Sequence, residues 1–370
     1  MKNVINSVGL IVAIGLMVGA CKTEKRDEEG HSHDDGKVRM FQYMNPHPEL
    51  EKAYLFDREK IEKDGVQDVF NYISPLNEIT EWTKAQEAKN VRWDDPITAF
   101  AVNGKYYVLP WYVMKNHHVG NLTIDGVEVV VTLCEVCSGS AAYSPYIDGK
   151  KLLFQLGGLY NGTNCMIDEN GDVWGTFSGR AYSGPYKGRE LERLQMFQGT
   201  WKEWIGTPFG ECFVADYPDS ARKGHGGSGR PGQAKFGFGK SLENEIDGRL
   251  KANTLVQGVN LNGEYRAYPH KVVMKKGVLE DTLGGESIVL LSIGKTSFMS
   301  CYKREFNGKL LSFELVEGTV KDKETGSVWQ FDGRSTEGPM KGAQLTYVPN
   351  NHEEWYAWAA YHPETSIYKE

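Results

Sequence analysis

FAVNGKYYVLP (residues 100–110) returns as VNLNGEYRAYP (residues 259–269), and this repeat decides how the chain is read. Each copy is an alternating run, an Asn-Gly pair and a second alternating run ending in proline. Asn-Gly between such runs signals a two-residue hairpin turn, because Asn and Gly take positive φ at little cost. The match continues outward. YSPYIDGKKLLF (143–154) returns as YKREFNGKLLSF (302–313), so Asn103 matches Asn262 and Phe154 matches Phe313 at one constant offset of 159. NGDVWGTFSGRAYSGPYKG (170–188) returns as TGSVWQFDGRSTEGPMKG (325–342). Trp201 and Trp204 pair with Trp355 and Trp358, each couple three apart and therefore on one face of a short terminal helix. The expected fold is mainly β with a few helices (α+β), a tandem duplication of a β-rich domain built from hairpins.

The flanks complete the division. Residues 1–20 carry Lys2, an apolar stretch from Val8 to Val18 and small residues before Cys21. That is a secretory signal, too short for a stable membrane span, and Val18-Gly19-Ala20-Cys21 resembles a bacterial lipobox. The resemblance implies an acylated Cys21 and a cell-envelope lipoprotein, anchored at the outer membrane or a periplasmic membrane face. Residues 21–48 read as the lipidated cysteine and a charged, disordered tether. Within it His31 and His33 are solvated, and Met40, Met44 and His47 are a faint soft-metal pattern. Residues 49–215 form the first domain, with helices expected over 49–63 and 76–88. Residues 216–250 are a glycine-rich linker or long loop, and 251–370 are the second copy. A net charge of −7 argues against a nucleic-acid surface. No Gly-x-Ser-x-Gly or His-Glu-x-x-His motif points to a hydrolase.

The duplication provides a control. Turn glycines, prolines and tryptophans appear twice and read as architecture. Cys134 and Cys137, at the end of the β-branched run VVVTLCEVC (129–137), align with Ile293 and Thr296. His117 and His118 align with Lys276 and Gly277. QLGGLYNGTNCMIDENGDV (155–173), which contains Cys165 and Met166, is longer than its counterpart. The first copy thus holds these thiols, imidazoles and thioether, and the aligned positions of the second copy lack them.

Cys-x-x-Cys with a nearby His and Met is a soft ligand set that suits Cu(I). The expected metal site is Cys134, Cys137, His117 and Met166, with His118 and Cys165 as auxiliaries. Copper is the expected ion, for storage, delivery or redox use, exchanged with a metal donor or acceptor protein. Zinc is the poorer fit, since methionine is not among its usual ligands. Two other readings use the same residues. In a thiol–disulfide centre Cys134 is the nucleophile, Cys137 resolves and His117 lowers a thiol pKa. In a structural or assembly lipoprotein the two cysteines form a staple.

The segments DPITAFAVNGKYYVLPWYVMKNHHVGN (95–121), VTLCEVCSGSAAY (131–143), LYNGTNCMID (159–168) and WGTFSGRAYSGPYKG (174–188) resemble a bacterial and archaeal family catalogued as domain of unknown function 3179. The resemblance extends over most of residues 64–370, with the second copy similar to a degenerate member. It implies that the family histidine falls on His117, the cysteines on Cys134 and Cys137, and the methionine on Met166. The chain departs in having Glu135-Val136 between the cysteines, His118 for a family Glu, and Cys165 before Met166. It implies an architecture and a residue set, and no activity.

Overall fold

The computed structural model describes residues 43–57, 74–135, 137–206, 210–222, 241–292 and 296–370. The signal, Cys21, His31, His33 and Met40 lie outside the described residues. The structure is mostly β, and Met40–Glu370 clusters as one compact unit. Among the described residues no helix is long and apolar enough to cross a membrane.

The founding hairpins form as their turns dictate. Pro96–Val102 pairs antiparallel with Lys105–Pro110, from Ile97↔Pro110 to Val102↔Lys105. Leu255–Leu261 pairs with Glu264–Pro269, from Val256↔Pro269 to Leu261↔Glu264. Both turns hold positive φ at each central residue: Asn103 +51° and Gly104 +76°, Asn262 +52° and Gly263 +80°. A short helix follows each hairpin, Trp111–Met114 and His270–Lys276. Next come the three-stranded meanders Val119–Ile124, Val127–Cys134, Gly139–Tyr143 and Val278–Leu283, Glu286–Ser292, Met299–Lys303. A late strand returns to each founding hairpin, Met196–Thr200 onto Pro96–Val102 and Asn350–Glu354 onto Leu255–Leu261. It leads directly into a tryptophan helix, Trp201–Ile205 or Trp355–Tyr361.

Buried polar pairs recur with the strands. Trp174 Nε1 donates to Asp168 at 3.1 Å, and Trp329 Nε1 to Asp322 at 2.8 Å. The Tyr143 hydroxyl donates to the Thr176 carbonyl at 2.9 Å, and the Tyr302 hydroxyl to the Phe331 carbonyl at 2.7 Å. Satisfying a buried indole or phenol at a fixed place specifies register as well as stability.

Two of the cores cross between the two stretches. One cluster joins Ile97, Phe197 and Trp204 to Val289, Phe298, Tyr302, Trp329 and Phe331. Another joins Cys134, Cys137, Met166, Trp174 and Phe177 to Tyr356 and Ala357.

Two expected helices are corrected. Within 76–88 only Ala85–Glu87 makes a single 3₁₀ turn. Leu76 instead bonds the edge of the first meander, its amide to the Val119 carbonyl and its carbonyl to the Asn121 amide, both 2.9 Å. Edge pairing outweighs a weak helix propensity in so short a segment. Within 49–63 Tyr54–Phe56 is a strand beside Gly158 and Leu159, and residues 58–63 lie outside the described residues. Of the expected linker, residues 223–240 lie outside them as well. Its ends are packed: Arg222 pairs with Asp95 at 2.6 Å, and the Ser241 hydroxyl accepts from the Gly162 amide at 3.0 Å.

Candidate functional site

The strand Val127–Cys134 is buried on both faces from Val129 onward. Its alternation sends Val130 and Cys134 into the core with Met166 and Trp174, and Val129, Val131 and Leu133 into a second core with Tyr107 and Leu109. Cys134 and Cys137 form a disulfide, both sulfur residues being buried at 2% and 0% exposure. Ser138 then takes φ +53°, a left-handed value uncommon outside Gly and Asn. At Gly139 any side chain is excluded: a Cβ would lie 2.6 Å from the Phe177 ring and 2.9 Å from the His352 carbonyl oxygen.

The loop is gripped by late strands from both stretches. The Glu354 amide donates to the Cys137 carbonyl at 3.0 Å. The Ser138 hydroxyl donates to Glu354 Oε1 at 3.0 Å, and Gln198 Nε2 donates to the Ser138 carbonyl at 2.6 Å.

Each expected ligand has a definite place. His118, at φ +60°, directs Nδ1 to the Leu133 carbonyl at 3.1 Å, which also accepts from Asn164 Nδ2 at 2.8 Å. Burial pushes the His118 ring down to about 4, only partly opposed by that carbonyl, so it is neutral at pH 7. His117 directs Nδ1 to the Ser74 carbonyl at 2.8 Å. Met166, fully buried, shares the core of the cysteine pair. Cys165 is the next residue along the same strand and faces the opposite core with Leu55, Tyr160 and Val173. Burial pushes its thiol up to about 12. The structure thus brings Cys134, Cys137 and Met166 together and turns Cys165 away. Among the described residues no group of three or more His, Cys, Asp or Glu side chains is disposed to hold a metal ion. In the weaker soft-metal pattern, Met44 is exposed and His47 Nε2 lies 3.0 Å from the Gly171 carbonyl.

Reading the sequence missed the strand facing the loop. Asn350, Asn351, His352, Glu353 and Glu354 are five consecutive polar residues, all buried. The strand in the equivalent place is Met196-Phe197-Gln198-Gly199-Thr200. Comparing the two stretches in the opposite direction would have exposed it, since here the second stretch carries the polar groups. The His352 and His270 rings meet edge to face at 4.0 Å, and burial pushes both downward, His270 to about 3. Burial pushes Glu353 up to about 7, against the opposing pull of Asn351 and Arg193.

A family model described as "Protein of unknown function (DUF3179)" matches residues 78–365. The chain belongs to the DUF3179 family. One match spans the disulfide loop, both founding hairpins and the polar strand, so the family unit includes both stretches. No curated protein and no solved structure matches the chain.

Proposed function

We propose that this DUF3179 protein is an exported, membrane-anchored lipoprotein whose working centre is the Cys134–Cys137 pair, cycling between disulfide and dithiol. We also infer that its two stretches descend from a duplication, which the shared order of hairpin, meander, late strand and tryptophan helix supports. One observation carries the functional reading. The meander Val278–Leu283, Glu286–Ser292, Met299–Lys303 forms with Ile293 and Thr296 in place of the cysteines. The fold therefore builds this meander without a staple, and the disulfide serves something else. Positive φ at Ser138 adds support, because unfavourable backbone collects at working sites. Reduction breaks the S–S bond, takes two electrons and two protons from a dithiol or another two-electron donor, and leaves two thiols. With both sulfurs buried, the donor is small or acts after local opening.

The test is a redox titration of the full chain bearing Cys21→Ser, equilibrated in thiol buffers and read by alkylation and mass. A working pair has a potential above about −300 mV, whereas a structural staple lies below it. A value below that line overturns the reading.

Copper remains a second reading, for the reduced state. Met166 shares the core of the pair. His117 turns Nδ1 to a carbonyl, which leaves Nε2 as the acceptor nitrogen when Nδ1 carries the proton. Reduced protein is then expected to bind one Cu(I), and Cys134→Ser to bind none. Equal binding by the two would rule copper out at this pair.

A further inference from the structure

A second site is built where the polar strand meets Arg193, and it does not depend on the disulfide reading. Two side chains there, Arg193 and Glu353, each have one polar atom tied and one left over, and the buried hydroxyl of Tyr347 lies in the same field. Arg193 Nη2 donates to the Tyr143 hydroxyl at 2.9 Å, and the guanidinium carbon lies 5.0 Å over that ring. Arg193 Nη1 is buried and has no partner. Glu353, 1% exposed, accepts from Asn351 Nδ2 at 2.9 Å on Oε1, while Oε2 is buried and has no partner. The Tyr347 ring packs edge-on to Tyr302 at 6.4 Å, and its hydroxyl is buried with the Asn350 backbone beside it, its own proton uncommitted.

The three come from one neighbourhood. Arg193 acts electrostatically on Glu353, on Tyr143 and on Tyr347. Arg193 pairs across from Tyr143, and Tyr347 pairs across from Tyr302. A guanidinium and a carboxyl group within each other's field, with buried Nη1 and Oε2 ends, ordinarily close into a bidentate pair. Here neither free atom bonds the other. A buried polar atom without a partner is costly, more so when charged, and two of them beside a buried hydroxyl call for a shared occupant. The fold does not require them. Gly199 occupies the place of Glu353 on the equivalent strand, paired to Ile97 as Glu353 is paired to Val256.

We propose that Arg193, Tyr347 and Glu353 hold a small oxyanion of single negative charge, a carboxylate, nitrate or bicarbonate. Arg193 Nη1 and the Tyr347 hydroxyl donate to its oxygens, and the protonated carboxyl of Glu353 donates through Oε2. The protonated acid leaves the guanidinium as the positive charge that the anion neutralises. Ionised Glu353 would repel the anion and satisfy Arg193 through water instead. The charged or titratable groups around Glu353 and Arg193 are Tyr143, Tyr347, Tyr356, Glu354 and His362, with Glu190 acting on Tyr143 and burial holding His362 down at about 3. Of these Glu353 is the one raised to about 7, so it governs the pH dependence.

The test is calorimetric titration of the full chain with formate, acetate, nitrate, bicarbonate and phosphate in turn, at pH 6 and pH 8. One site per chain for at least one monoanion is expected, with affinity about tenfold lower at pH 8 as the carboxyl ionises. Which anion binds tightest identifies the source. Arg193→Gln is expected to abolish binding, and Arg193→Lys to weaken it while preserving the fold. Glu353→Gln should still bind and lose the pH dependence. Absence of binding by all five anions, or equal affinity in wild type and Arg193→Lys, overturns the proposal and leaves an ordered water as the occupant.

Discussion

The Ser138 hydroxyl donates to Glu354 Oε1 at 3.0 Å, tying the residue after the disulfide to the strand that precedes the second tryptophan helix. The contact has a counterpart. The Ser297 amide donates to Glu203 Oε1 at 2.9 Å, tying the equivalent serine to the first tryptophan helix. Each meander loop is thus held by the other stretch, beside the two cores that the stretches complete jointly.

The Ser138–Glu354 bond is therefore expected to act on the whole unit. Ser138→Ala should lower stability by about 1–3 kcal/mol, the cost of leaving a buried carboxyl oxygen short of a donor. A double-mutant cycle with Glu354→Gln in urea checks it. Additive losses would mean that the two side chains do not act together.

Gly139 makes a sharper demand. Its absent Cβ leaves room for the Phe177 ring and the His352 carbonyl. The backbone oxygen cannot swing aside as a flexible side chain would. Gly139→Ala should lose about 1–3 kcal/mol through overpacking. Gly104→Ala, where nothing lies within 4 Å, should lose stability only through its positive φ. Chemical denaturation of both variants separates the two causes.

Reducing Cys134–Cys137 should cost about 2 kcal/mol by loop entropy for so short a ring. The larger effect is expected to be local. The Glu354 amide bonds the Cys137 carbonyl, so hydrogen exchange at Glu354 should accelerate on reduction, while the Val129–Leu133 amides keep their protection. Unchanged exchange at Glu354 would show that the loop keeps its shape as a dithiol.

The hairpins were legible because their information is local: Asn103-Gly104 and Asn262-Gly263 each encode two positive φ values beside an alternating run. The pairing of Cys134 with Cys137 was one of three open readings, since three-residue spacing serves a metal as well as a disulfide. Met166 and Cys165 could not be told apart until the strand's register put them on opposite faces. The helix expected over 76–88 failed because Leu76 finds its partners at Val119 and Asn121, far away in sequence. Least legible was the strand Asn350–Glu354. Five polar residues in a row ordinarily mark a solvated surface, and their burial depends on a loop more than two hundred residues earlier.

The buried titratable groups set opposing pH limits. His118, His270 and His352 are all depressed below the ordinary value of 6.5, by burial above all. As pH falls below 6.5 the unfolded chain takes up protons on these rings that the folded chain refuses. Their contribution to stability is therefore complete above 6.5 and is lost as pH falls, toward about 4 for His118 and about 3 for His270. Glu353 runs the other way. Raised from 4.5 to about 7, it holds a proton in the folded chain that the unfolded chain gives up above 4.5. Its contribution is complete below 4.5 and lost as pH rises through about 7. Urea denaturation in chloride buffer from pH 4 to pH 8 should thus show a loss on the acid side that His352→Gln softens. Glu353→Gln should gain stability relative to wild type as pH rises from 5 to 8, because only the wild-type chain must then ionise a buried carboxyl. A constant difference between Glu353→Gln and wild type over that range would mean that Glu353 titrates alike in the folded and unfolded chains.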